Sequence, residues 1–321
     1  MDEELEKLSR AAQAVTRQYF GRTMGLYAPL YLSNYCENYC VYCGFSARRA
    51  IARKKLSPAE IEIECKIVAG GGIQNILILT GESREHSPLS YIREAVLIAA
   101  KYFPHIAVEI SPLETDEYRE LFLAGVDGVT VYQETYNREI YQRLHPAGRK
   151  RDYDYRYSTP ERAAQAGIRH ISLGVLLGLA DWPSDVEALF AHVIYLERKY
   201  PGVEYSLSFP RLQKLAGSEP GYFRVTDTDM LRIVGAARLK FPRMGINLST
   251  RERPAFRDNI LEYGVTRLSA GSSTKVGGYA CPQGEGQFSV NDERSLADIK
   301  AMLMNKEFDP VLTDWRRIIN E

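Results

Sequence analysis

The stretch Ala28-Pro29-Leu30-Tyr31-Leu32-Ser33-Asn34-Tyr35-Cys36-Glu37-Asn38-Tyr39-Cys40-Val41-Tyr42-Cys43-Gly44-Phe45 joins two unlike halves. Residues 28–34 form a short, nearly continuous apolar run, and the remainder is a polar loop holding three cysteines. A run of this length without polar alternation suits a strand covered on both faces, as in a parallel sheet. The same form recurs at residues 75–82, 106–113, 128–135, 170–179, 204–211, 246–252 and 265–272, which makes eight runs.

Helical punctuation separates them. Ser57-Pro58-Ala59-Glu60 supplies an N-cap, a proline in the first turn and a capping-box glutamate. Ser184 with Glu187 repeats the box, and Thr159-Pro160 opens another helix. Gly70, Gly125, Gly167 and Gly264 stand at stop positions. Alternation of strand and helix is the pattern of βαβ units with right-handed crossovers. Eight such units predict an α/β chain folded as a closed (β/α)8 barrel rather than an open doubly wound sheet. No linker or charge block marks a second domain, so one domain is expected: an N-terminal helical segment over 1–27, a barrel over 28–272 and an extension over 273–321.

Composition supports that reading. Of 321 residues, 45% are hydrophobic, and 41 basic side chains balance 41 acidic ones. A balanced chain has no global field drawing it to nucleic acid or anionic lipid. No apolar run nears the ~18 residues that a membrane span needs. The first 20 residues mix Glu, Lys and Arg with Leu and Ala, which predicts an amphipathic helix and not a signal peptide. A cytoplasmic enzyme or binding protein is the expectation.

Barrels of this class place their chemistry at the C-terminal ends of the strands. Here those ends carry the Cys36 loop, Gly81-Glu82, Ser111-Pro112, Gln133-Glu134, Pro210-Arg211, Thr250-Arg251-Glu252 and Ser269-Ala270-Gly271-Ser272. Turn preferences account for the Ser, Gly and Pro. They do not account for two arginines and three carboxylates.

Of five cysteines, Cys36, Cys40 and Cys43 fall within eight residues, while Cys65 and Cys281 stand alone. Such a cluster reads as a metal or redox site. A structural zinc site takes four ligands, and a [4Fe–4S] cluster normally takes four cysteines. Three local thiolates would leave one iron of a cluster open to a cofactor. Spacing alone keeps both metals in play. Cys65, among Ile61, Ile63 and Val68, reads as core, and the five histidines show no metal-pair spacing.

The C-x3-C-x-aromatic-C pattern on the loop after the first strand resembles the radical S-adenosylmethionine (SAM) superfamily. Further motifs narrow the likeness: Leu30 to Asn34, Thr80-Gly81-Glu82, Val131 to Tyr136, Ser208-Phe209-Pro210-Arg211, Leu248 to Glu252 and Val276-Gly277-Gly278-Tyr279. These resemble the superfamily's aromatic amino acid lyases, most nearly the ThiH-type 2-iminoacetate synthases, the tyrosine lyases of thiamine biosynthesis. The likeness runs from about Tyr19 to Trp315.

That resemblance implies a [4Fe–4S] cluster on Cys36, Cys40 and Cys43, with SAM on the fourth iron. It also implies cleavage of the Cα–Cβ bond of L-tyrosine to 2-iminoacetate (dehydroglycine) and p-cresol. Glu82 is implied at the methionine amino group, Arg156 at its carboxylate and Tyr42 at the adenine. Arg251 is implied at the substrate carboxylate, with Ser269 assisting; its competing reading is an ion pair with Glu252 or Asp258. Partners would be a thiazole synthase receiving dehydroglycine and a flavodoxin- or ferredoxin-type reductant. The basic run Arg48, Arg49, Arg53, Lys54 and Lys55 is read as a solvated helix face or as the docking site of that acidic donor.

Some features depart from the family. The N-terminal segment is short, Asp314-Trp315-Arg316-Arg317 only partly matches the family's ending, and Cys281 in the stretch 280–286 has no assigned role. A relative serving hydrogenase maturation carries a further C-terminal domain with a second cluster, so carbon monoxide and cyanide production is not expected here. A tryptophan lyase shares the barrel and the arginine. A zinc-stabilised barrel that only binds an amino acid is the alternative of another class.

Overall fold

The computed structural model describes residues 3–213 and 223–313. Eight parallel strands form its centre: β1 (Thr23–Ser33), β2 (Asn75–Thr80), β3 (His105–Glu109), β4 (Gly128–Glu134), β5 (His170–Val175), β6 (Glu204–Ser208), β7 (Gly245–Leu248) and β8 (Arg267–Ser269). Each pairs with the next, and β1 pairs with both β2 and β8, so the sheet closes on itself. The predicted (β/α)8 barrel is what forms. All six residues of β5 are buried, which is why its sequence shows no polar alternation.

Several local expectations shift. Strand β1 starts at Thr23 rather than at residue 28, because its first residues alternate in burial and pair with β8 and with a short ninth strand, β9 (Asp309–Val311). Strand β3 ends at Glu109, so Ser111-Pro112 lies in the loop beyond it. Asp181, not Ser184, caps the helix Trp182–Lys199; its carboxylate accepts from the Ser184 amide, and Pro183 lies in the first turn. The capping box of Ser57 and Glu60 forms as predicted.

The N-terminal helix Glu3–Phe20 buries Leu5, Ser9, Ala12 and Thr16 along one face. It packs against the helix Asp227–Lys240, where the absence of a side chain at Gly235 lets Leu8 approach. At the other end of the chain the helix Leu296–Asn305 leads into β9, alongside Thr23–Gly25. The predicted motif at Asp314 to Arg317 lies outside the described residues. Among the described residues, no helix is long and apolar enough to cross a membrane.

Candidate active site

The cysteine loop leaves β1 and returns to it at an antiparallel bridge between Ser33 and Lys55. Buried Asn34 fastens its two ends: its side chain donates to the Ala52 carbonyl at 2.9 Å and accepts from the Lys54 amide at 2.7 Å. Arg53 holds the loop more tightly still. Its guanidinium donates to the carbonyls of Asn34 (2.6 Å), Phe45 (2.7 Å), Ser46 (2.7 Å) and Arg49 (3.2 Å). One planar fork thus clamps the residues just before Cys36 to those just after Cys43, a geometry lysine cannot supply.

This corrects the reading of the basic run. No helix spans it; Arg53 is spent on backbone carbonyls, Arg49 lies 3.6 Å from Glu285 and Lys54 lies 3.6 Å from Glu60. Only Arg48 and Lys55 stay exposed. Arg53→Gln should therefore lower the iron retained after anaerobic reconstitution and speed its loss to a chelator on the order of tenfold, with the circular dichroism spectrum unchanged. Iron retention equal to the parent would show that the loop keeps its shape without the clamp.

Cys40 is buried, Cys36 and Cys43 are partly so, and each thiol responds to the other two or to its neighbours. Burial, then the charges of Glu82 and Cys43, push the Cys36 thiol up to about 11. Burial also raises Cys40 and Cys43, although Lys150 pulls both down. The backbone of Phe45 and the side chain of Gln287 donate toward Cys43. Unmetallated, these thiols keep their protons; a coordinating cation removes them outright. Among the described residues, no three His, Cys, Asp or Glu side chains converge closely enough to grip one ion. A four-iron cube makes a different demand, since each thiolate binds a separate iron, and the loop suits it better than zinc. Cys65 is fully buried in the helix Pro58–Gly70, and Cys281 is exposed.

Beside the loop, four charges form a chain drawn from the turn after β2, the end of β4 and the short helices Arg149–Arg151 and Tyr153–Tyr157. Arg156 pairs with Glu82 at 2.9 Å, donates to the Tyr132 carbonyl at 2.6 Å and stands 3.9 Å from Glu134. Lys150 pairs with Glu134 at 2.6 Å. Burial alone would raise both glutamates; Arg156 and Lys150 outweigh it and hold them below the ordinary carboxylate range. Two plus and two minus charges make the buried set neutral, which limits its desolvation cost. Glu134 sits at the irregular end of β4 with φ 71°, a left-handed conformation that is rare for a non-glycine residue and concentrates at functional sites. Asn38 links this chain to the cysteine loop, donating to Glu82 at 2.8 Å and accepting from the Lys150 amide at 2.9 Å. Gly81 admits the loop, because a side chain there would collide with the Tyr35 carbonyl.

Tyr42 donates to His145 Nε2 at 2.7 Å. The direction follows from the other ring nitrogen, which lies 2.8 Å from the Tyr141 carbonyl and must carry the proton. Burial first, then Lys150, hold His145 neutral, down to about 2.

The cysteine loop and Arg251 open onto one cavity, whose lining includes Cys43, Tyr42, Glu134, Lys150, Arg251 and Ser269. The Arg251 guanidinium lies 3.5 Å from the ring centre of Phe288. Its carbonyl accepts from Gln213 at 3.1 Å and Asn291 at 2.6 Å. The competing ion pairs do not form, since Glu252 takes Arg211 and Asp258 takes Arg294. Ser269 accepts from the Thr250 amide at 3.0 Å, which steadies the turn bearing Arg251.

Sequence reasoning picks out Cys36, Cys40, Cys43, Tyr42, Glu82, Arg156, Arg251 and Ser269, which the structure brings together at this mouth of the barrel. It gave no role to three further charged residues. Lys150 was one of many cations between Arg143 and Arg162, Glu134 was noted only as a strand end, and Glu109 went unremarked inside an apolar run. An acidic residue interrupting such a run is the signal that was there to find.

The profile of the Radical SAM superfamily matches residues 30–192, and that of the Biotin and Thiamin Synthesis associated domain matches residues 208–309. The 2-iminoacetate synthase of Escherichia coli is 40% identical over 313 residues, 97% of this chain and 83% of that protein. The one of Salmonella typhimurium is 38% identical with the same coverage. The crystal structure of HydG, a maturase of the [FeFe]-hydrogenase, superposes with a TM-score of 0.93 at 33% identity, over 98% of this chain and 71% of that one. With its cysteine loop and barrel in place, the chain belongs to the radical SAM superfamily and, within it, to the 2-iminoacetate synthase family.

Proposed function

We propose that the protein cleaves the Cα–Cβ bond of L-tyrosine to 2-iminoacetate and p-cresol, converting SAM to 5′-deoxyadenosine and methionine, for thiamine thiazole formation. The observation that carries this reading is that Cys43 and Arg251 face a single cavity, which joins a cluster loop to an amino acid carboxylate site. As a radical SAM protein it uses a [4Fe–4S] cluster and SAM. When bound, that pair supplies one-electron cleavage to a 5′-deoxyadenosyl radical, which abstracts hydrogen from the substrate.

The chain's own residues bind, orient and exclude water. Cys36, Cys40 and Cys43 would hold the cluster, and SAM would bind it through its methionine moiety. Glu82 and Arg156 already neutralise one another at 2.9 Å, so together they offer a matched carboxylate and guanidinium to the ammonium and carboxylate of that moiety. Tyr42, its hydroxyl occupied by His145, presents its ring to the adenine. Arg251, braced by Phe288 and with Glu252 and Asp258 paired to other arginines, receives the tyrosine carboxylate bidentately. Ser269 secures the turn behind it.

In this reading dehydroglycine passes to a thiazole synthase, and a flavodoxin or ferredoxin delivers the electron near Arg48 and Lys55. The test is anaerobic incubation of the reconstituted protein with SAM, a reductant and tyrosine, tryptophan or phenylalanine in turn. p-Cresol from tyrosine is the expected product; an indole fragment from tryptophan would place the chain among the tryptophan lyases instead.

A further inference from the structure

Glu109 is the last residue of β3 and lines the same cavity as Arg251. Glu134, the other carboxylate in the lining, is paired with Lys150, and Glu82, outside the lining, is paired with Arg156 and bonded to Asn38. Among the described residues, Glu109 makes no hydrogen bond and no ion pair. Burial, reinforced by Glu134, lifts its carboxyl to about 7 against the pull of Lys150, Arg156 and Arg251. A carboxyl group out of bulk water without a partner is costly, and a ligand hydroxyl would relieve that cost.

The barrel's topology decides which part of the substrate it meets. In the ring β1 to β8, β3 and β7 lie four strands apart in either direction, on opposite walls. Arg251 follows β7. An amino acid whose carboxylate rests on Arg251 keeps its α-ammonium on that same wall, because both groups share one carbon. Its para substituent is what reaches across. The lining between the two walls is aromatic and aliphatic, with Tyr27, Tyr31, Tyr132, Leu77 and Leu79, as a ring requires.

We propose that Glu109 reads the phenol hydroxyl of L-tyrosine, accepting its hydrogen bond and selecting tyrosine over amino acids without that group. The assignment rests on the tyrosine lyase reading and deepens it. A site built to bond a substrate hydroxyl discriminates against the analogue lacking it far more strongly than an apolar pocket does.

The test uses the full reconstituted chain, with p-cresol as readout for the tyrosine KM and L-phenylalanine as a competing ligand. In Glu109→Gln and Glu109→Leu, the tyrosine KM should rise on the order of 10- to 100-fold, while the inhibition constant of phenylalanine changes little. Iron content reports whether each variant has kept its site. Equal weakening of both ligands, or an unchanged tyrosine KM, would overturn the assignment. A measurement without mutation stands beside these. On the parent protein, 4-methoxyphenylalanine, whose ether oxygen accepts but cannot donate, should compete as weakly as phenylalanine. Competition as strong as tyrosine's own binding would mean that a donor reads the oxygen, and Glu109 does not. If the parent makes no p-cresol at all, the lyase reading fails and this one with it; p-cresol with unchanged selectivity in the variants removes Glu109 alone.

Discussion

Alanine at any one of Cys36, Cys40 or Cys43 is expected to abolish reductive cleavage of SAM. Each thiolate takes a separate iron, so losing one removes a corner of the cluster rather than retuning it. The loop cannot recruit a substitute. Cys65 is fully buried within the helix Pro58–Gly70, its thiol pushed up to about 12 by burial and then by Glu64 and Glu62, and Cys281 is exposed on another segment. Cys65→Ala and Cys281→Ala should accordingly leave the iron content as it is. Iron per chain and 5′-deoxyadenosine formation, measured on all five variants, make the comparison. Cleavage retained in all three loop variants would contradict the radical reading, and iron lost with Cys65 or Cys281 would mean a four-cysteine site with no open iron.

The second large effect is expected at Arg251, where substrate binding separates from radical generation. Arg251→Ala removes a charge-assisted pair from the cavity, worth ~2–5 kcal/mol when the partner charge is left alone. At ~1.4 kcal/mol per tenfold, tyrosine binding weakens roughly 30- to 3,000-fold. Arg251→Lys recovers only part, because a point charge replaces a planar fork that also stacks on Phe288. The cysteine loop lies after β1 and is clamped by Arg53, so slow 5′-deoxyadenosine formation without p-cresol should persist. Unchanged tyrosine dependence would return Arg251 to a packing role, and iron loss would show that the substitution broke the fold.

The parts of this account legible in the sequence are those whose physics is local. The strand runs show themselves because a parallel strand covered on both faces must be apolar throughout, as β5 is. The cluster loop shows itself because its three ligands lie within eight residues. Lys150, Glu134 and Glu109 gain meaning only when the barrel closes and sets β3, β4 and the segment after β4 around one cavity. Arg53 is hidden for the opposite reason: five cations in a short stretch look like a solvated face, and only the folded loop shows one of them turned inward onto four carbonyls. The first residues of β1 escape the sequence reading because their partner, β9, comes from the far end of the chain.

The most direct test of the central claim is a paired assay on the anaerobically reconstituted protein, measuring 5′-deoxyadenosine and p-cresol in one reaction across a tyrosine titration. The account predicts that p-cresol appears only with tyrosine, rises with it to saturation and is matched by tyrosine-dependent 5′-deoxyadenosine. Formation of 5′-deoxyadenosine that ignores tyrosine, with no p-cresol at any concentration, would contradict it.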